Sequence, residues 1–150
     1  MRTIKLVLRY DGTAFCGWQA QPGQRTVQGT ISEALARIVQ QPVELVGSSR
    51  TDSGVHALGQ VAHWQSDTHL TSDVLFRALR SELPDDVQVV SIADAPPDFH
   101  AIRDAARKRY RYVLTDGPDV DLFRRNYLWH VRGPVDVDAM HRAGRALRGQ

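Results

Sequence analysis

Between Thr3 and Ile92 the hydrophobic period switches from two to about 3.6 and back in a set order, and that order constrains the fold more than any other feature. Ile4, Leu6, Leu8 and Tyr10 alternate with Lys5, Val7 and Arg9, the pattern of a half-buried strand. Asp11-Gly12 ends it with a turn signal. Val27, Ile31, Leu35, Ile38 and Val39 then follow helical spacing, with Thr26 as N-cap and Pro42 beyond the end. A strand is expected from Val43 to about Gly47 and another from Gly59 to Gln65. A second helix follows from Asp73 to Leu83, capped by Ser72 and stopped before Pro84, and Val87 to Ile92 reads as the next strand. The resulting β-α-β-β-α-β order predicts an α+β protein with a ferredoxin-like antiparallel sheet and its helices on one face.

Beyond that unit, Arg109 to Leu114 and Tyr127 to Val131 read as further strands. A third helix opens at Asp136, with Val137, Met140, Gly144 and Leu147 on one stripe. Neither an internal repeat nor a linker interrupts residues 1–150, so one domain is expected. The N-terminal "MRTIKLVLRYDG" alternates instead of forming the apolar core of a signal peptide. No window approaches ~18 uninterrupted apolar residues, so no membrane-spanning helix is expected.

A single cysteine, Cys16, excludes an internal disulfide and a cysteine-based metal cluster, which predicts a reduced, cytoplasmic protein. The net charge is only +2, but of the 19 basic residues just Lys5 and Lys108 are lysine. The planar guanidinium suits phosphates and base edges better than an ammonium does. A GC-rich gene would give the same bias, so the positions of the arginines must decide.

Three stretches carry polar groups in patterns a plain core does not need. The first is "GSSRTDSGVHALGQVAHW", between two expected strands and too long for a tight hairpin turn. Gly54 can supply a positive φ that reverses the chain just after Asp52. Asp52 and Ser53 could simply build an Asx-type turn, with Arg50 a solvated charge. A metal site fits poorly, because His56, His63 and His69 lack helical ligand spacing and no second carboxylate lies nearby. A hydrolase triad through Ser53 lacks the Gly-x-Ser-x-Gly elbow.

The second stretch is "ARKRYRYVL". On a strand, Lys108, Tyr110 and Tyr112 would face one way and Arg107, Arg109 and Arg111 the other, with Arg103 just upstream. Tyrosine rings stack on bases while guanidinium groups follow phosphates, which suits a looped nucleic acid. A charged edge strand that resists aggregation would look the same. The third stretch, "YDGTAFCGWQAQPGQRTVQGTI", holds Trp18 and Gln19 in an amide-rich loop that could merely cover a sheet end.

Taken together, these stretches resemble the tRNA pseudouridine synthase A family. The matches are Tyr10-Asp11-Gly12-Thr13 with Gly17-Trp18-Gln19 and Gln21, Thr26-Val27-Gln28, and Arg50 to Ala57 with Gly59-Gln60-Val61. Phe99-His100-Ala101, Arg109-Tyr110-Arg111-Tyr112 and Met140 follow in the same order. In place of the arginine that usually follows Phe-His-Ala stands Ile102, with Arg103 one place later.

The resemblance implies isomerisation of uridine to pseudouridine in the tRNA anticodon stem-loop, by a homodimer without cofactor or metal. Asp52 becomes the catalytic aspartate and Tyr110 the active-site tyrosine that stacks on the target base. Arg50 becomes the RNA contact that helps open the stack, and His56 a support for the loop or the RNA backbone. Arg103, Arg107, Arg109, Arg111, Trp18 and Gln19 complete the implied RNA-binding set. A carboxylate there could attack the sugar, stabilise a cation-like sugar, or take a sugar proton, and all three remain open. The family also implies that residues 1–150 form an N-terminal catalytic half, whose partner half supplies an arginine paired with the aspartate. The isolated half is then expected to be inactive. A ferredoxin-like RNA-binding module without catalysis is the competing expectation.

Overall fold

The computed structural model describes residues 1–149, in two compact units, Met1–Arg107 and the segment from Lys108 onward. The first unit holds β1 (Arg2–Tyr10), α1 (Val27–Val39), β2 (Val46–Gly47), β3 (Ala57–Ser66), α2 (Ser72–Glu82) and β4 (Val87–Ala95). Its sheet runs in the order β2-β3-β1-β4, every neighbouring pair antiparallel. This is the ferredoxin-like arrangement that the order of periodicities predicts.

The alternation in β1 does what the pattern dictates. Ile4, Leu6 and Leu8 are fully buried, and Tyr10 nearly so. They pack against Val27, Ile31 and Leu35 of α1, Leu75 and Leu79 of α2, and Trp64, Val87 and Val89 of the neighbouring strands. Burying each such side chain contributes roughly 1.5–3 kcal/mol, which is what holds the two helices to one sheet face.

Thr26 caps α1 by accepting from the Gly29 amide at 3.3 Å, and Gln40, at φ 54°, closes the other end in the left-handed region. The cap of α2 is Thr71, not Ser72. Thr71 is extended and its hydroxyl accepts from the Val74 amide, whereas the Ser72 hydroxyl donates to Asp94 Oδ2 at 3.3 Å. β2 is also shorter than Val43 to Gly47. The Leu45 carbonyl accepts from Gln28 Nε2 at 2.7 Å, and pairing with β3 begins only at Val46, opposite His63.

In the second unit, β5 (Leu114–Asp116) and β6 (Trp129–Val131) form a parallel two-stranded sheet of their own. α3 (Val137–Gly144) is capped by Asp136, whose Oδ1 accepts from the Ala139 amide at 2.8 Å, and a short 3-10 turn, Arg145–Leu147, follows. The expected strand from Arg109 does not form. Lys108 to Val113 has no regular secondary structure, because pairing in this segment begins at Leu114. The alternation of tyrosines and arginines on opposite strand faces is therefore not realised. Tyr127 likewise precedes its strand, its amide donating to the Arg124 carbonyl in a turn.

Candidate active-site loop

The loop from Ser48 to His56 joins β2 to β3, and the segment after β1, from Asp11 to Gln19, lies against it. The two chains are tied at successive points. Gly12 donates its amide to His56 Nδ1 at 3.1 Å, and that nitrogen also lies 3.1 Å from Asp11 Oδ1. The Phe15 carbonyl accepts from Ser53 Oγ at 3.1 Å and from the Gly54 amide at 3.3 Å. The Thr51 carbonyl accepts from the Trp18 amide at 2.9 Å. Tyr10 Oη and Thr51 Oγ1 share a hydrogen bond of 2.9 Å.

Within this frame Asp52 to Val55 form a tight turn, the Val55 amide donating to the Asp52 carbonyl at 3.2 Å. Gly54 has φ +77°, the left-handed conformation that turn requires. The first half of the loop is fastened by Gln60, a buried amide. Its Oε1 accepts from Ser48 Oγ at 3.0 Å, while its Nε2 donates to the Ser49 carbonyl at 2.6 Å. Arg50 and Asp52 are left exposed on a loop whose backbone is held on both sides. Such an arrangement keeps two charged side chains in contact with solvent and any incoming ligand, while the scaffold bears the entropy of ordering the backbone.

Trp18 departs from its expected place at an RNA surface. It is 2% exposed, its ring 6.1 Å from that of Tyr10 and packed directly over Gly47, so it forms the floor beneath the loop. Gln19 is half-buried and donates through Nε2 to Gln28 Oε1 at 2.7 Å. His56 is a brace between the two chain segments. Arg103 is exposed and reaches the Asp98 carbonyl at 3.4 Å. Arg107 ends the first unit, while Arg109, Tyr110 and Arg111 belong to the second, all of them exposed. The structure thus gathers Arg50, Asp52, His56, Trp18 and Gln19 into one braced assembly.

Sequence reasoning named Tyr10, Thr51, Gln60 and His63 but gave none of them a role in the site. Tyr10 and Gln60 did carry a signal, a polar-tipped residue in a strand position that the alternation assigns to the interior. His63 carried less of one. It is 6% exposed, its ring lies 4.9 Å from that of His100 at a tilt of 58°, and it accepts at Nδ1 from the Ala101 amide at 3.2 Å. It thereby seats the Phe99-His100-Ala101 segment on the sheet. Among the described residues no cluster of three metal-ligating side chains occurs, and no helix is long and apolar enough to cross a membrane.

Fold and loop together define an α+β protein whose ferredoxin-like sheet presents an exposed arginine and aspartate on a braced connection. A sequence profile described as tRNA pseudouridine synthase matches residues 6–103. The chain is 43% identical over 150 residues to tRNA pseudouridine synthase A of Brevibacillus brevis, covering 100% of this chain and 62% of that protein. It is 45% identical over 150 residues to the protein of the same name from Halalkalibacterium halodurans, covering 99% of this chain and 57% of the other. A third, from Maridesulfovibrio salexigens, is 46% identical over 151 residues, with 100% and 55% covered. The chain belongs to the tRNA pseudouridine synthase family, and it spans 55–62% of the length of these relatives.

Proposed function

We propose that this chain carries the catalytic loop of a tRNA pseudouridine synthase, with Asp52 as the reactive carboxylate. The observation that supports this most strongly is the braced turn that leaves Asp52 exposed beside Arg50. A solvated turn would not need contacts from Tyr10, Gly12, Phe15 and Trp18, whereas a group that must meet a sugar carbon in one geometry does. In the reaction the N1–C1′ bond of uridine breaks, the uracil turns, and C5 bonds to C1′. The C5 proton leaves and N1 ends protonated, so no oxidant and no cofactor is required.

The target nucleotide must leave its stack before a carboxylate on a surface loop can reach its sugar. In this reading Arg50, two residues from Asp52 in sequence, contacts the opened backbone and Tyr110 stacks on the base, roles that the family resemblance supports. Exposed Arg103, Arg107, Arg109 and Arg111 bind phosphate, and His56 holds the loop to Gly12. The substrate is the tRNA anticodon stem-loop, and the protein acts as a cytoplasmic homodimer. The residues that carry the family resemblance support this finer reading.

The test is release of tritium from tRNA labelled at uridine C5, with this chain assayed at the full length of its relatives. Release matched by pseudouridine formation supports the proposal. Tight tRNA binding with no release would make the chain an RNA-binding module instead.

A further inference from the structure

Among the described residues no hydrogen bond to the exposed Asp52 carboxylate occurs, so its placement rests on the flanking backbone, which sets the Cα–Cβ bond from which it extends. On the C-terminal side that backbone is held by Ser53 Oγ and the Gly54 amide on the Phe15 carbonyl. On the N-terminal side two contacts act through Thr51. Its carbonyl takes the Trp18 amide, and its hydroxyl meets Tyr10 Oη at 2.9 Å. Tyr10 is 5% exposed and closes β1, its ring tilted against Trp18. Its hydroxyl is thus the polar tip of an apolar floor, and it ends on the residue before Asp52.

We propose that Tyr10 is a positioning residue for the reaction: its hydroxyl, bonded to Thr51 Oγ1, fixes the direction in which Asp52 presents its carboxylate. This rests on the reading of Asp52 as the reactive group. Rotation of the backbone at Thr51 would swing the Asp52 side chain as a unit, and a misplacement of about 1 Å can cost on the order of 100-fold in rate. The Trp18 amide holds the Thr51 carbonyl and the Tyr10 hydroxyl holds the Thr51 Cα through its side chain, so the two bonds restrain the backbone there from different points. Burial pushes the Tyr10 phenol above its ordinary value of 10.0, against the smaller opposite effect of the Thr51 bond. The phenol therefore stays protonated through any assay near neutral pH.

Three substitutions separate positioning from packing. Tyr10→Phe keeps the ring, Thr51→Val keeps the shape, and Thr51→Ser keeps the hydroxyl. Tritium release by the protein at the full length of its relatives gives kcat and KM for tRNA, and thermal unfolding reports folding. Tyr10→Phe and Thr51→Val should each lower kcat about 10-fold or more, with KM within about two-fold. Thr51→Ser should restore near wild-type turnover, and the double variant should be no worse than either single one, as expected for two partners of one bond. The proposal is overturned by a kcat within about two-fold of wild type in Tyr10→Phe. Thr51→Ser as impaired as Thr51→Val, or losses that simply follow the unfolded fraction, would overturn it equally. Asp52→Asn separates the two levels. Its complete loss beside an unaffected Tyr10→Phe sinks positioning alone, whereas turnover in Asp52→Asn sinks the reading beneath it.

Discussion

Gly12 and Val55 meet backbone to backbone: a Cβ built on Gly12 would fall 2.1 Å from the Val55 carbonyl oxygen. The contact joins the end of β1 to the end of the Asp52 turn, so the loop can sit where it does only because residue 12 has no side chain. Gly12→Ala should therefore push the two segments apart, at a cost of about 1–3 kcal/mol, with turnover falling as well. Urea unfolding checks the first part. An unchanged midpoint would show that the contact is not a constraint.

The His63 imidazole gives the fold a pH dependence. Burial first, and then the neighbouring His100, hold it below its ordinary value of 6.5. A nitrogen that accepts the Ala101 amide must be unprotonated, which agrees with that direction. As pH falls, the unfolded chain takes up this proton before the folded one does. Stability is thus complete above about 6.5 and declines as pH drops through that value toward the folded pKa. The unfolding free energy of wild type should fall more between about pH 7.5 and 5 than that of His63→Leu. Parallel curves would remove His63 as the source.

Arg107, Arg109 and Arg111 lie in an exposed stretch without regular structure. Such a segment can follow a phosphate backbone without the face restriction of a strand. Replacing each arginine by alanine should reduce the salt slope of tRNA binding by roughly one unit or less per site. Affinity measured across a salt series decides this. An unchanged slope in all three would assign these cations to solubility and not to RNA.

The first unit was legible where burial imposes a period. Ile4, Leu6, Leu8 and Tyr10 announce β1, and Val27, Ile31 and Leu35 announce α1, because one face of each must meet the core. Arg109 to Leu114 misled for the converse reason: alternation of tyrosine and arginine resembles a strand, but without a pairing partner the backbone has no ladder to join. The cap at Thr71 was missed because Thr71 and Ser72 are both capable oxygens, and only the backbone angles choose between them. At the candidate site Asp52 and Arg50 could be marked from the motif. The burial of Trp18 could not, since nothing local says that its ring lies over Gly47, 29 residues away along the chain.

The central claim is that the Asp52 carboxylate performs the chemistry, and Asp52→Asn tests it most directly. The substitution keeps the size of the side chain and removes the charge, and the backbone contacts at Thr51, Gly54 and Val55 do not involve it. In the protein at the full length of its relatives, tritium release from C5-labelled tRNA should fall to background. Affinity for tRNA should stay within about three-fold, because the lost group acts on the reacting nucleotide and not on the phosphates. Release at a rate comparable to wild type would contradict the account, and Asp52 would revert to a residue that only shapes a turn.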